Sequence, residues 1–181
     1  MRIISGKYRG RKLNSPQGRE VRPTTERVKE AIFSIILPYL DEAVVLDLFA
    51  GSGGLGIEAL SRGAKHVYFC DISEKSIAVI RQNVETLDVS SDVTLLNCDF
   101  KRVSNRINKK IDIVLVDAPY NMCEYSAILD TISDGNYLAD DALILIERDR
   151  SKAGYEISEK FVLNKTKKYG NTEVDILFYS E

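Results

Sequence analysis

From Val44 to Glu147 the chain alternates short apolar runs with helical stretches, and that alternation leaves few folds open. VVLDLF is followed by a helical GLGIEALSRG, HVYFCD by a helical SEKSIAVIRQNVETL, and VTLLNCD by a polar stretch with room for a short helix. IDIVLVDAPY then precedes a helical EYSAILDTISD, and ALILIER closes the series. Strands alternating with helices at this spacing predict a parallel sheet with helices on both faces. IVLVD and LILIE are nearly continuous apolar runs, as expected of central strands buried on both sides. The tail ISEKFVLNKTKKYGNTEVDILFYS breaks the pattern: two β-type runs flank Gly170-Asn171, which predicts a terminal antiparallel hairpin. At the other end, RIISGKYRGRKL predicts a small strand or hairpin, and Asn14 to Pro23 reads as a loop. Thr24 or Thr25 then caps a helix that places Val28, Ala31, Ile32, Ile35 and Ile36 at helical spacing until Pro38.

A length of 181 residues fits one domain, and 44% apolar with 29% charged residues excludes a disordered or fibrous chain. No apolar run is long enough to cross a bilayer and the first residues lack the apolar core of a signal peptide, so the expectation is a cytoplasmic protein. Cys70, Cys98 and Cys123 are odd in number and widely spaced, which predicts reduced thiols. His66 is the single histidine and is expected at the surface; without a partner it offers neither a zinc site nor a Ser/His or Cys/His nucleophile pair. No metal is expected, and catalysis must rest on carboxylates, backbone groups and a bound cofactor.

Charge is unevenly spread. Residues 1–30 carry nine Lys/Arg against three Glu, whereas the rest of the chain carries 16 basic and 24 acidic side chains. A basic arm on an acidic body suggests a polyanionic partner, since Lys/Arg clusters gain affinity from phosphate by releasing counterions. A solvated basic face accounts for the same composition.

The stretch LDLFAGSGGLG places Gly51, Gly53 and Gly56 at G-x-G-x-x-G spacing directly after a strand and before a helix. Such a loop brings backbone N–H groups and a helix amino terminus to a ligand, either a dinucleotide or S-adenosylmethionine. Asp47 separates the two readings. It lies four positions before Gly51, where it would repel a pyrophosphate and attract a ligand bearing ammonium and sulfonium charges. Asp71 closes the next strand, placed to accept ribose hydroxyls from either ligand. Asp99, after the third strand, is placed to accept from an adenine amino group with Phe100 packing nearby. Each aspartate alone is accounted for as a helix cap; their joint occurrence after three successive strands is harder to explain that way.

The fourth such strand ends in Asp117, Ala118, Pro119 and Tyr120. An exocyclic amine on a nucleobase is a poor nucleophile because its lone pair is delocalised into the ring. The Asp117 carboxylate and Ala118 carbonyl are suited to hold its N–H groups, Tyr120 to stack on an extruded base, and Pro119 to fix the direction of the Ala118 carbonyl. A strand ended by a proline turn is the plain alternative.

Taken together, RIISGKYRGRKL, RPTTERVKEAIFS, LDLFAGSGGLGIEALSRGA, the aspartates, VDAPY and KKYGNTEVDILFY resemble the bacterial small-subunit ribosomal RNA guanine-N2 methyltransferase family over nearly the whole chain. The resemblance implies an α/β, Rossmann-like class I S-adenosylmethionine-dependent methyltransferase: a seven-stranded, mostly parallel sheet with an antiparallel last strand, plus a small amino-terminal β extension. It implies a basic RNA-contacting extension over residues 1–23 and a methyltransferase domain over 24–181. The expected cofactor-binding residues are Asp47, Phe49, Gly51, Gly53, Asp71, Ile72, Asp99 and Phe100, and the catalytic set is Asp117, Ala118, Pro119 and Tyr120. Lys7, Arg9, Arg11, Lys12, Arg22 and Thr24 are the expected RNA contacts. Ala118 stands where the family usually has a first proline, which leaves the needed carbonyl in place. The expected partner is 16S rRNA or the small ribosomal subunit, complete or partly assembled, met by a monomer with no membrane contact. An adenine-N6 methyltransferase, a nicotinamide-dependent oxidoreductase and a non-catalytic RNA-binding protein are the alternatives.

Overall fold

The computed structural model describes residues 1–15, 26–119, 124–152 and 154–180. The chain runs α1 (Glu26–Ile36), β1 (Val44–Asp47), α2 (Gly54–Ser61), β2 (His66–Asp71), α3 (Glu74–Leu87), β3 (Val93–Asn97), β4 (Ile111–Asp117), α4 (Tyr125–Asp134), β5 (Leu138–Asp149), β6 (Phe161–Tyr169) and β7 (Thr172–Tyr179). The strands form one sheet in the order β3-β2-β1-β4-β5-β7-β6. β3 through β5 pair in parallel, and β7 is antiparallel to both β5 and β6. The expected terminal hairpin is therefore present, with Gly170 at φ +60° in its turn, and it inserts so that its second arm lies next to β5. The stretch after β3 holds two 3-10 turns, Phe100–Arg102 and Ser104–Arg106, rather than an α-helix.

Side chains alternate across the strands, so each sheet face has its own core. Val45, Val67, Phe69, Ile113, Leu115, Leu143 and Leu145 pack with α1, α2 and α3 on one face. Leu46, Tyr68, Val114, Val116, Ile144 and Ile146 pack with α4 and Phe100 on the other. Ile3 and Leu13 from the amino-terminal segment join the first core, and a single antiparallel bridge, Arg2 to Lys12, closes that segment into a small loop.

Two expectations are corrected by burial. The buried stripe of α1 is Val28, Lys29, Ile32, Phe33 and Ile36, while Ala31 and Ile35 lie on its flank. His66 is buried at the start of β2 rather than on the surface: its Nε2 meets Thr94 Oγ1 at 2.9 Å and its ring edge rests on Tyr68, and burial lowers its pKa. Cys70 and Cys98 are free thiols with sulfurs 3.9 Å apart; Cys123, like Thr24 and Thr25, lies outside the described residues. Among the described residues no helix is long and apolar enough to cross a membrane.

Candidate active site

The carboxyl ends of β1, β2 and β4 meet at one edge of the sheet, where ligands of open α/β sheets bind. Immediately after β1 the backbone tightens: the Leu48 N–H donates to Leu115 O, Ala50 N–H to Cys70 O and Gly53 N–H to Ala50 O, at 2.7–3.0 Å. Gly51 and Gly53 have φ of +54° and +78°, a region L side chains rarely adopt, and Gly53 is the N-cap of α2. Gly56 answers a different need. A Cβ there would sit 2.3 Å from the Phe69 ring, so the glycine lets α2 lie close on β2. The loop thus delivers the amino terminus of α2, with its positive dipole end, to the sheet edge.

Asp47 lies beneath this loop rather than in its mouth. It is buried, and its Oδ2 accepts the Gly56 N–H at 2.9 Å. Burial pushes its pKa up to about 7, against the Gly56 hydrogen bond and with help from the neighbouring charges of Asp117 and Asp71. Asp71 braces the loop from the other side: Oδ2 accepts the Gly51 N–H at 2.8 Å and Oδ1 the Ser73 N–H at 2.7 Å. Asp99 accepts the Lys101 N–H at 2.9 Å and caps the following 3-10 turn. The three strand-end aspartates therefore each carry an internal hydrogen bond, and a carboxylate with about four lone-pair sites keeps acceptor capacity beyond it.

Apolar surface lines the same mouth. Ile72 is 70% exposed directly after β2. Phe49 is half-buried and packs on the buried Phe100 ring, with centroids 5.5 Å apart. Asn97, which the sequence did not single out, donates its amide to the carbonyls of Asp71 and Ile72 at 3.0 and 3.1 Å and so fixes the chain between them.

Beyond β1 the edge continues to β4. Asp117 ends that strand half-buried, Ala118 is buried in the α4-side core and Pro119 is exposed; Tyr120 lies outside the described residues. Asp117 is in register with Glu147 of β5, a second buried acid at this edge that sequence reasoning left inside a strand. Register partners share a face, so Asp117 and Glu147 project to one side of the sheet, the side of Asp47 and Asp71. An open cleft of about 310 Å³ lies at the opposite edge, near Asp41, Glu42, Asp112, Asp140 and Asp141, where it faces away from the glycine loop.

The amino-terminal segment is seated on α2. Glu58 is fully buried, and its carboxylate accepts the N–H groups of Ile4 and Ser5 while pairing with Lys29 at 3.0 Å and Arg62 at 2.9 Å. Burial alone would raise the pKa of Glu58, but these partners together hold it below its ordinary value. Lys29 also donates to the Arg2 carbonyl at 2.9 Å, so it is an internal anchor and not part of the basic surface that its sequence position suggests. Arg2 pairs with Glu26. Lys7, Arg9, Arg11 and Lys12 are all exposed on the outside of the loop, with Arg11 reaching the Thr86 carbonyl. Tyr8 packs against the first core with Lys7 over its ring. Arg22 and Thr24 lie outside the described residues.

Strand order, the glycine loop and the acidic strand ends together define a class I methyltransferase fold, and the solved Escherichia coli protein yhhF superposes on it with a TM-score of 0.89 at 29% identity, over 99% of this chain and 98% of that one. Sequence comparison narrows the class: residues 1–178 match the family model described as Conserved hypothetical protein 95, and the chain belongs to that family. It is 39% identical to the Bacillus subtilis protein YlbH over 97% of both chains. It is 36% identical to the Haemophilus influenzae protein named ribosomal RNA small subunit methyltransferase D, over 84% of this chain and 80% of that one.

Proposed function

We propose that this chain transfers a methyl group from S-adenosylmethionine to the N2 amine of a guanine in 16S ribosomal RNA of the small subunit. The observation that carries the reading is the placement of Asp117 beside the glycine loop, on the same sheet face as Asp47 and Asp71. The kinship with a named small-subunit rRNA methyltransferase supports the choice of substrate. The mouth suits the cofactor: the amino terminus of α2 attracts the ligand's carboxylate, the Asp47 charge acts on its cationic groups from beneath the loop, and Ile72 offers an apolar face to a purine. Phe49, Gly51, Gly53, Asp99 and Phe100 complete that set.

S-adenosylmethionine supplies a methyl group made electrophilic by its sulfonium. The chain's own part is orientation. The Asp117 carboxylate and Ala118 carbonyl accept the two N–H groups of the amine, which turns the nitrogen lone pair toward the methyl carbon. Methyl transfer leaves the amine with a proton to lose, and Asp117, as acceptor of one of its N–H groups, would be placed to take it. Pro119 restricts residue 118 to extended backbone, and Tyr120 stacks on the base. Residues 1–23 act as the RNA-contacting extension of a methyltransferase domain over 24–181; Lys7, Arg9, Arg11, Lys12 and Arg22 of the extension, with Thr24 at the start of the domain, position the phosphate backbone without reading sequence.

The test is methyl transfer from labelled S-adenosylmethionine to unmodified small subunits and to their naked RNA, followed by nucleoside analysis. N2-methylguanosine is the expected product. N6-methyladenosine would move the target to another base, and no label on either substrate would overturn the rRNA reading.

A further inference from the structure

We propose that Lys165 and Lys167 on β6 form a second phosphate-binding site, so that the RNA is gripped on both flanks of the Asp117 turn. This rests on the proposed rRNA substrate and extends it to a surface far from the amino-terminal arm in sequence.

β6 is the last strand of the sheet on the side away from β3, and it runs parallel to β4. Register connects the two directly. Asp117 is level with Glu147, Glu147 with Val174 and Val174 with Lys167, so the four residues form one row across β4, β5, β7 and β6. Partners in a row project to the same face, and neighbouring strands are ~4.8 Å apart, which puts the Lys167 backbone roughly 14 Å from that of Asp117. Lys165 lies one rung below, level with Ile176. Val174 and Ile176 belong to the core that also receives Ile3, Leu13 and α1, so the lysine pair and the basic arm are on the same face of the sheet. The arm is seated on α2 and α3, beside β1 and β2, and the lysines lie at the other end of the row. The Asp117 turn stands between them.

The charge on β6 is arranged for an anion. Lys165 is exposed, Lys167 is half-buried, and among the described residues no carboxylate pairs with either. Lys168, on the other face, is occupied by Glu173 at 3.6 Å. Repulsion from Lys165 lowers the pKa of Lys167, a cost that a phosphate between the two ammonium groups relieves. Phosphate contacts of this kind position a nucleic acid without specifying its sequence. A short run of nucleotides leading from the target base spans the distance to them.

The experiment compares the full-length parent, the double variant Lys165→Gln/Lys167→Gln, and the double variant Lys109→Gln/Lys110→Gln, which removes the same charge at the opposite sheet edge. Binding of naked 16S RNA is titrated at several salt concentrations, and steady-state methyl transfer is measured alongside. In the β6 variant the slope of log affinity against log salt is expected to fall by about 1.5, reflecting two lost phosphate contacts. KM for RNA should rise several-fold with kcat and S-adenosylmethionine affinity unchanged, and the opposite-edge variant should match the parent. A parent-like slope in the β6 variant, or an equal fall in both variants, would overturn the second site. Increased aggregation with an unchanged slope would also overturn it, and would assign the lysines to guarding an open sheet edge. Lack of salt-dependent RNA binding by the parent would overturn the rRNA reading along with it.

Discussion

The loop after β1 and the residues that end β4 sit on adjacent strands, yet they differ in what the fold exposes. The loop is braced from within: the amides of Gly51, Gly53 and Gly56 are taken by Asp71, the Ala50 carbonyl and Asp47. The turn goes from buried Ala118 to exposed Pro119 within one residue, with half-buried Asp117 before it. A small ligand of fixed shape suits a frame set before it arrives, whereas a base drawn from a large RNA needs an open approach. Under the proposed function, the difference predicts that fold stability and cofactor binding depend on the loop side and that orientation of the target amine depends on the turn side.

Variants that break the loop side should unfold the protein more than they change its chemistry. The largest effect is expected at Glu58, where replacement by alanine leaves Lys29 charged and buried without its partner and also releases the Ile4 and Ser5 amides. Chemical denaturation should show a loss of about 3–5 kcal/mol, with the amino-terminal segment detached. Gly56→Ala is expected to cost about 3 kcal/mol, because its Cβ would be driven into the Phe69 ring, and cofactor binding should weaken with it.

Asp47→Asn sharpens the comparison through pH. Folded Asp47 keeps its proton up to about pH 7, whereas the unfolded carboxyl releases it near its ordinary value of 3.8. The folded state therefore binds the extra proton between those values, and this group's contribution to stability is lost as pH rises toward 7. The asparagine variant lacks that loss. Its stability relative to the parent should increase by roughly 4 kcal/mol between pH 4 and pH 8 in thermal or urea unfolding without ligand. S-adenosylmethionine should bind the parent more tightly at pH 8 than at pH 6, since a cationic ligand favours the ionised carboxylate, and this gain should vanish in the variant. The smallest effect is expected on the turn side at Ala118→Pro, which adds backbone restriction next to Pro119 and should change stability by less than about 1 kcal/mol.

Much of the frame was legible because it is written in local pattern. Apolar runs ending in Asp47, Asp71 and Asp117, separated by helical stretches, specify parallel strands with acids at one edge, and Gly170-Asn171 between β-type runs specifies the hairpin. The anchoring of the arm was not legible, since residues 4 and 5 meet Glu58 through folding alone and nothing near either marks the pairing. Lys29 reads as surface charge by composition and is internal because Glu58 and the Arg2 carbonyl await it. His66 was misplaced for a related reason: a polar residue at a strand start is exposed unless a neighbouring strand supplies a partner, here Thr94. Asp47 was legible as an acid at a strand end, but its position under the loop depends on the close approach of α2 to β2 that Gly56 permits.

The division between loop and turn is tested most directly by Asp117→Asn, measured for S-adenosylmethionine affinity by calorimetry and for single-turnover methyl transfer to small-subunit RNA. The expected result is cofactor affinity close to that of the parent, with transfer slowed about 100-fold or more, because the asparagine no longer offers a charged acceptor to the amine. Transfer at the parental rate would contradict the assignment of Asp117 to the target base, and loss of cofactor binding together with transfer would show that the turn belongs to the cofactor site.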